Sequence, residues 1–243
     1  MNLRELVADY HPTKQAIQLV DDTKVVLLVG ISGAGKDTIK NLLLRDSMFR
    51  DIVSHTTRAP RSNNGIPEVD GKDYHFIDQE RAVEMLEAQE FIEVKLVHGT
   101  VYGTSTQELA TAYSEGLVAI TDIDVQGVSD YKSITPDVVA IFMLPPDYET
   151  WKYRLQSRYD TKEEFEAEWP RRRTSAIEEL EHALEVPYYH FIINDDLAES
   201  VHTTRQISLK PDIYNRKDDE ARIAARDLLD EIIVKAAEEG LSS

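Results

Sequence analysis

Apolar residues in this chain occur in two alternating patterns, short runs and longer stretches with helical spacing. Continuous or alternating apolar runs are typical of strands, and they predict strands at 24–29, 51–54, 91–97, 117–120, 138–144 and 190–193. Apolar positions that recur every three to four residues predict helices at 39–45, 78–88, 105–115, 147–158, 171–184, 197–205 and 222–237. Because strands and helices alternate, the pattern favours an α/β fold with a parallel sheet flanked by helices.

Five segments lack these patterns and are predicted to connect or cover the regular elements. Residues 1–22 mix apolar and charged positions, which predicts one or two short helical turns packed on the body. The polar segment 54–76 predicts a loop or small β element built for ligand contact, although an ordinary surface loop has a similar composition. We predict a turn at 102–104, a mobile acidic lid at 159–170 and a linker at 206–217.

The composition narrows the possible locations and partners. The chain contains no Cys, which excludes disulfides and thiolate metal sites and favours a reducing, cytoplasmic location. No stretch approaches the roughly 18 apolar residues of a membrane span, and the N-terminus lacks the apolar region of a signal peptide. The formal net charge of −18 argues against a nucleic-acid surface, because phosphate contacts supply most of that affinity. A site for an anionic ligand in this chain therefore requires several Arg side chains close together.

A glycine-rich segment follows the first predicted strand and precedes the first predicted helix. Its sequence, GISGAGKDT at 30–38, fits the phosphate-loop pattern G-x-x-x-x-G-K. Its backbone N–H groups can turn toward a phosphate, the helix start adds a positive dipole end, and the lysine can reach the β- and γ-phosphates. We therefore expect a sheet of the P-loop NTPase type, with ATP bound by Gly30, Ser32, Gly33, Ala34, Gly35, Lys36, Asp37 and Thr38.

Two acidic positions predict a magnesium site beside this loop. Asp37 stands where the pattern has Ser or Thr, so its carboxylate could ligate Mg²⁺ directly but would repel the β-phosphate without the metal. Asp122 and Asp124 follow the predicted strand 117–120, at the end where ligands and metal-positioning carboxylates lie. Acidic turns are common, but together with the phosphate loop this pattern predicts Asp37 and Asp122 as Mg²⁺ ligands.

Seven segments occur in one order along the chain: SHTTRAPR (54–61), EVDGKDYHF (68–76), FIE (91–93), HGTVYGTS (98–105), DIDVQG (122–127), RLQSR (154–158) and INDDL (193–197). These segments match guanylate kinase in the order in which that family has them, so the chain resembles guanylate kinase from about residue 24 to residue 205. The resemblance implies a domain at 23–205 whose core is 23–53 and 117–205. It also implies a small inserted α/β subdomain for GMP at 54–116 and a helical lid at about 155–175. The flanking regions are an extension at 1–22, and a linker with an amphipathic helix at 206–243.

The resemblance further implies a reaction, in which ATP and GMP give ADP and GDP with the help of Mg²⁺. The residues implied to hold the GMP phosphate are Arg58, Arg61, Tyr74 and Tyr102. Those implied to read guanine are Ser54, Glu93 and Asp124, with Glu68 and Thr104 completing the pocket. Those implied to act on the triphosphate are Arg154, Arg158 and Arg173, with Lys36 and Arg58 sharing in catalysis and Asn194 contacting ATP. Guanine presents N–H donors that suit carboxylates, and planar Arg forks suit a phosphate dianion.

The chain departs from the family pattern at several places besides Asp37. The link 61–68 and the lid between Arg158 and Arg171 are each about four residues longer than usual. Any of Arg171, Arg172 and Arg173 could therefore be the lid arginine, and the following S-A-x-E-E-L favours Arg173. The terminal segments 1–22 and 206–243 lie outside the resemblance.

Two other functions fit much of the same sequence. Guanylate-kinase-like scaffold modules bind phosphorylated partners, but they typically lose the phosphate-loop glycines and lysine that this chain retains. A kinase for deoxy or modified GMP would carry the same guanine-reading residues. The sequence thus predicts ATP and GMP as substrates, no nucleic-acid or membrane partner, and either a monomer or a homodimer.

Overall fold

The structure is a computed structural model that describes residues 2–63, 66–211 and 215–241. Its strands are β1 (Val25–Val29), β2 (Phe49–Asp51), β3 (His55–Thr56), β4 (Ser62–Asn63), β5 (Ile66–Pro67), β6 (His75–Phe76), β7 (Phe91–Val97), β8 (Thr100–Ser105), β9 (Val118–Asp122), β10 (Val139–Leu144) and β11 (Tyr189–Ile193). Its helices are α1 (Leu3–Ala8), α2 (Lys14–Asp22), α3 (Lys36–Leu43), α4 (Gln79–Glu87), α5 (Thr106–Glu115), α6 (Val125–Ile134), α7 (Tyr148–Gln156), α8 (Lys162–Glu185), α9 (Leu197–Leu209) and α10 (Asn215–Leu241).

The strands form three sheets. Five of them pair in the order β11-β10-β1-β9-β2, and the pairs β10–β11 and β2–β9 are parallel. Four others pair in the order β6-β3-β8-β7, and in this sheet β8 runs antiparallel to both β3 and β7. Strands β4 and β5 form a separate antiparallel pair. The predicted α/β class, with a parallel sheet and helices between its strands, is confirmed.

The chain divides into two compact units, and the first comprises Met1–Val26, Asp46–Thr121 and Gln126–Val138. The buried side chains of Met85, Leu86 and Phe91 form a small core, and apolar residues of α1 pack against it. The Tyr10 hydroxyl donates a hydrogen bond to the Phe91 carbonyl at 2.6 Å and accepts one from the Phe91 amide at 2.9 Å. The helical turns predicted at 1–22 are therefore two helices, and the first of them is fastened to this unit.

The second unit comprises Leu27–Arg45, Asp122–Val125 and Val139–Ser243. The rings of Phe142 and Phe191 lie 5.4 Å apart on the neighbouring strands β10 and β11. Helix α10 packs against β11 and α8 and buries Ala225, Leu228 and Ile232. Within the described residues, no helix is both long and apolar enough to cross a membrane.

The structure corrects two predictions in the segment between 51 and 104. The turn predicted at 102–104 is wrong, because these residues lie inside β8 and pair with both β3 and β7. The chain reverses instead at His98 and Gly99, whose φ angles of 50° and 83° suit a two-residue hairpin turn. The strand predicted at 51–54 lies earlier, since β2 ends at Asp51. The longer link at 61–68 includes residues 64–65, which lie outside the described residues.

The structure also corrects the helices of the second half. No helix begins at Arg171, because α8 is one helix of 24 residues that continues through Pro170. Proline removes one backbone hydrogen bond and usually ends a helix, but buried side chains on both sides of it, among them Trp169 and Ala176, hold this helix together. Helix α6 was not predicted. The linker predicted at 206–217 begins inside α9, which ends at Leu209, and its residues 212–214 lie outside the described residues.

Candidate functional site

The glycine-rich loop connects a fully buried strand to a helix start. All five residues of β1 are buried, and α3 begins at Lys36. Gly35 caps α3 with a φ of +94°, a conformation that side-chain-bearing residues rarely adopt. The free N–H groups of the first turn of α3 and its positive dipole end therefore face the loop. The predicted arrangement of strand, loop and helix is confirmed.

Asn194 ties this loop to the ends of two neighbouring strands. Its side chain is 5 % exposed and donates from Nδ2 to the Ala34 carbonyl at 2.8 Å. Its backbone amide donates to the Leu144 carbonyl, also at 2.8 Å. A Cβ at Gly35 would lie 2.2 Å from Asn194 Nδ2, so no larger residue fits at this point of the loop. Asn194 thus holds the loop backbone, and its direct contact with ATP stays a prediction.

The Lys36 ammonium folds back over the loop. Its Nζ donates to the Gly30 carbonyl at 2.5 Å and lies 3.5 Å from the Ile31 carbonyl. Burial lowers the pKa of Lys36, and the charges of Glu179, Asp122 and Asp37 oppose that shift. A buried ammonium held by carbonyl oxygens gains from an anionic partner, because charge-assisted hydrogen bonds are stronger than neutral ones. The loop therefore presents a positioned cation for a phosphate.

The two predicted metal ligands lie in the same unit as the loop. Asp37 is exposed in the first turn of α3, and Asp122 accepts a hydrogen bond from Lys40 at 2.6 Å. Burial alone would raise the pKa of Asp122, but Lys40 and Lys36 outweigh it, so the pKa is lowered and the group is ionised. In the described part of the chain no three acidic or His side chains converge on one point. Mg²⁺ commonly uses one or two carboxylates together with phosphate oxygens, and these two carboxylates fit that chemistry.

Helix α7 and the residues just after it bring two arginines and a tryptophan to the loop. Arg154 donates from Nη2 to the Asn194 carbonyl at 3.1 Å, and Arg158 donates from Nη1 to Ser32 Oγ at 3.3 Å. The indole of Trp151 donates to the Ser32 carbonyl at 2.8 Å. The second terminal nitrogen of Arg154, Nη1, is buried and has no hydrogen-bond partner among the described residues. Leaving a buried donor without a hydrogen bond costs about 1–3 kcal/mol of folding free energy. An anionic ligand that accepts a hydrogen bond from this guanidinium would remove that cost.

The three consecutive arginines of α8 have different partners. Arg173, favoured from the sequence as the lid arginine, makes an ion pair with Glu239 of α10. Arg172 donates to the Tyr159 hydroxyl at 3.2 Å, and its charge acts on Glu179. Arg171 pairs with Glu168 on the exposed side of the helix. The geometry therefore favours Arg172 as the arginine on the loop side, while the role of Arg173 stays a prediction.

Glu179 is a member of this cluster that the sequence analysis missed. Burial raises its pKa, whereas Lys36 and a hydrogen bond from Ser175 oppose the shift. The charge of Asp124, predicted to read guanine, also acts on Glu179, so the structure places Asp124 near the loop cluster of the second unit. A signal was present in the sequence, since residues 172 and 179 are seven positions apart and share one face of a helix.

The first unit carries most of the residues assigned to GMP. Arg58 forms a two-pronged ion pair with Glu68, at 2.8 and 2.9 Å, and the amide of Arg61 donates to the same carboxylate at 2.6 Å. The hydrogen bond from Arg58 lowers the pKa of Glu68. The Arg58 guanidinium lies 5.3 Å from the ring centre of Tyr74, and that ring lies 6.1 Å from the ring of Tyr102. Five of the predicted residues thus form one cluster.

The neighbouring strands β7 and β8 bring a buried carboxylate, that of Glu93 on β7, next to Thr104 on β8. Glu93 is 5 % exposed and accepts a hydrogen bond from the Thr104 hydroxyl at 2.7 Å. Tyr131 of α6 is fully buried beside them and hydrogen bonds to the Thr104 side chain. Tyr131 was not among the predicted site residues, because α6 was not predicted. Ser54 is half-buried, and its carbonyl accepts a hydrogen bond from the His75 amide at 2.9 Å. Its contact with guanine stays a prediction.

Comparisons with known proteins point to one family. A family model described as guanylate kinase matches residues 22–209. The guanylate kinase of Methylobacillus flagellatus is 38% identical over 182 residues, which are 74% of this chain and 86% of that protein. The guanylate kinase of Clostridioides difficile is 38% identical over 180 residues, 73% of this chain and 83% of that protein. A crystal structure of guanylate kinase from Anaplasma phagocytophilum matches with a TM-score of 0.58 at 28% identity, covering 78% of this chain and 86% of that one.

Proposed function

The chain belongs to the guanylate kinase family, and we propose that it transfers the γ-phosphoryl group of ATP to GMP, giving ADP and GDP. The observation that carries the proposal is the cation cluster at the phosphate loop. In it, Lys36 is held over the loop, and Arg154 presents a buried donor with no partner among the described residues. An anionic ligand would accept from this buried donor and from the Lys36 ammonium.

The loop side of the site is suited to the triphosphate of ATP. The first-turn N–H groups of α3 would bind the phosphates, and Lys36 would exchange its loop carbonyls for phosphate oxygens. Arg154, Arg158 and one lid arginine, Arg173 or Arg172, would neutralise charge on the transferring phosphoryl group. Because phosphoryl transfer needs little covalent help from the protein, positioning and charge neutralisation supply most of the catalysis.

The carboxylates beside the loop suit Mg²⁺, whose oxygen-rich coordination they match. Asp37 would hold the ion, and Asp122, which Lys40 fixes in place, would support it. When bound, Mg²⁺ supplies positive charge to the β- and γ-phosphates. Asp37 itself lies in the first turn of α3, where a bare carboxylate would repel the phosphates.

The first unit supplies the residues for GMP. Arg58 and Arg61 would bind its phosphate, and the hydroxyls of Tyr74 and Tyr102 would complete that site. Glu68 occupies the Arg58 fork in the structure, so the GMP phosphate would have to share or replace that carboxylate. A phosphate dianion can do so, because it offers the fork the same two-oxygen geometry with a larger charge.

Guanine recognition is assigned to Glu93 together with Thr104 and Ser54, whereas the role of Asp124, which belongs to the second unit, stays a prediction. The buried carboxylate of Glu93 can accept hydrogen bonds from guanine N1–H and N2–H₂, and the Thr104 hydroxyl fixes its orientation. Adenine has an acceptor at N1, so a desolvated carboxylate would face a lone pair. Leaving both acceptors unpaired in a buried pocket is the expected source of discrimination.

The chemical step balances without a general base. A phosphate oxygen of GMP attacks the γ-phosphorus, the new P–O bond forms as the bond to the β–γ bridging oxygen breaks, and ADP leaves with that oxygen. The attacking oxygen is already ionised at neutral pH, because the second pKa of such phosphates is about 6.

Product analysis tests this function. Incubation with ATP, GMP and Mg²⁺ should give equal amounts of ADP and GDP by anion-exchange chromatography. Lys36→Met should lower kcat at least ~100-fold, because it removes a positioned charge from the transition state. Lys14→Met removes the same charge from an exposed position of α2 and should leave the rate unchanged. ADP formed without GDP, or equal rates for both variants, would contradict the proposal.

A further inference from the structure

Helix α10 lies outside the matched family region and is anchored along α8. Near its start, Arg222 donates to the carbonyls of Leu184 and Val186, each at 3.2 Å, at the C-terminal end of α8. The same guanidinium lies 4.7 Å from the ring centre of Phe191. Near its end, Glu239 reaches Trp169 and Arg173, farther back along α8. Helix α10 therefore runs antiparallel to α8 and is fastened to it at two points.

The Glu239 carboxylate joins two helices. Its Oε1 lies 3.4 Å from Nζ of Lys152 on α7, and its Oε2 accepts a hydrogen bond from the Trp169 indole on α8 at 3.2 Å. Oε2 also pairs with the Arg173 guanidinium. Burial would raise the pKa of Glu239, but Lys152, Trp169 and Arg173 outweigh it, so the pKa is lowered and the carboxylate stays charged. One side chain of α10 thus holds α7 and α8 together.

The contacts continue from Glu239 to the phosphate loop. The Trp169 ring packs on the Trp151 ring with 5.1 Å between their centres. Trp151 is fully buried and donates its indole N–H to the Ser32 carbonyl at 2.8 Å. These are the two tryptophans of the chain. An unbroken series of four residues therefore connects the last turns of α10 to the loop.

We propose that Glu239 is a positioning residue for the ATP site, which it holds in its binding geometry through Trp169 and Trp151. The proposal rests on the proposed function, since it assigns the loop, Arg154 and Arg158 to ATP. Without Glu239, α7 and α8 lose a common anchor, and the ordering of Arg154 and Arg158 has to occur when ATP binds. We therefore expect a lower affinity for ATP, whereas the affinity for GMP should not change.

Steady-state kinetics of full-length Glu239→Ala tests the proposal against a matched control. We expect KM for ATP to rise about 3- to 10-fold, with KM for GMP unchanged and kcat within about 2-fold, because a partly exposed ion pair contributes modestly. Asp230→Ala removes one negative charge from an exposed position of the same helix and should match the parent. Equal increases of both KM values would show general destabilisation and overturn the proposal, as would an unchanged KM for ATP.

A double-mutant cycle identifies the route. Trp169→Phe keeps a ring against Trp151 but removes the indole N–H that Glu239 accepts. If the effect passes through this contact, Glu239→Ala should raise KM for ATP less in the Trp169→Phe background than in the parent. Fully additive effects would exclude the route through Trp169.

Tryptophan fluorescence tests the positioning independently of turnover. Because both tryptophans belong to the series, Glu239→Ala should shift the emission to longer wavelength and increase acrylamide quenching, and ATP should reverse part of both changes. Spectra identical to those of the parent would overturn the proposal. Absence of GMP turnover in the parent would refute the proposed kinase function, whereas the spectra would still decide the role of Glu239.

Discussion

Replacing Glu93 by Gln should weaken GMP recognition selectively. Glu93 is 5 % exposed, and one of its oxygens already accepts a hydrogen bond from Thr104 at 2.7 Å. Gln can keep that bond, but it places an NH₂ donor where the second carboxylate oxygen would accept from guanine. A hydrogen bond to a charged group contributes about 1.5–3 kcal/mol, so kcat/KM for GMP should fall about 10- to 150-fold.

The assay is steady-state kinetics with GMP and ATP varied in turn. KM for ATP should not change, because Glu93 and its hydrogen-bond partner Thr104 are assigned to guanine and not to ATP. Glu90→Gln is the matched control, since Glu90 is 38 % exposed and pairs with Arg81 on the surface. A decrease of less than about 3-fold for GMP, or an equal decrease for ATP, would refute the assignment of Glu93 to guanine.

Three other substitutions test separate parts of the account. Asp37→Ser should raise ATP affinity in the absence of Mg²⁺ and reduce its dependence on the metal, and an unchanged Mg²⁺ titration of ATP binding would count against a metal role. Asn194→Ala should lower the free energy of unfolding in urea by about 1–3 kcal/mol, because the buried carbonyl of Ala34 loses its donor, and a smaller loss would mean that another donor replaces it. Burial and the neighbouring His75 lower the pKa of His55 to about 4, so the unfolded chain takes up a proton that the folded chain does not. The free energy of unfolding should therefore fall by about 2 kcal/mol between pH 6.5 and pH 4. Urea unfolding of His55→Gln should show a weaker dependence of this free energy on pH, and an equal dependence in both proteins would contradict the prediction.

The fold was predictable where a pattern has one physical solution. Five consecutive apolar residues in β1 can only be buried on both faces, and all five are. The glycine-rich loop was equally clear, because strand, loop and helix follow one another along the chain. Prediction was wrong at Pro170, where local preference ends a helix but side chains buried on either side keep α8 continuous. Helix α6 was not predicted, because its buried residues Gly127, Val128 and Tyr131 form only one short apolar stripe.

The candidate site was predictable in its residues but not in their partners. Gly103 gave a turn signal, yet it is needed inside β8 because a Cβ there would lie 2.8 Å from the Glu93 carbonyl. Arg173 resembled a lid arginine, but it pairs with Glu239, 66 residues further along the chain. Such pairings depend on how α8 and α10 pack, and a single sequence holds no spacing rule for them. The same limit applies to the position of Glu179 beside Lys36, although the sequence does show that residues 172 and 179 share one helix face.

The proposed transfer of phosphate from ATP to GMP can be tested in one experiment, by measuring ADP release with ATP, Mg²⁺ and each of GMP, AMP, CMP and UMP at matched concentrations. Turnover with GMP should exceed the rate with AMP by about 10³-fold or more, because adenine leaves buried polar groups unpaired. Comparable turnover with AMP would contradict the role of Glu93 in reading guanine. Binding of GMP without any turnover would contradict the kinase function itself.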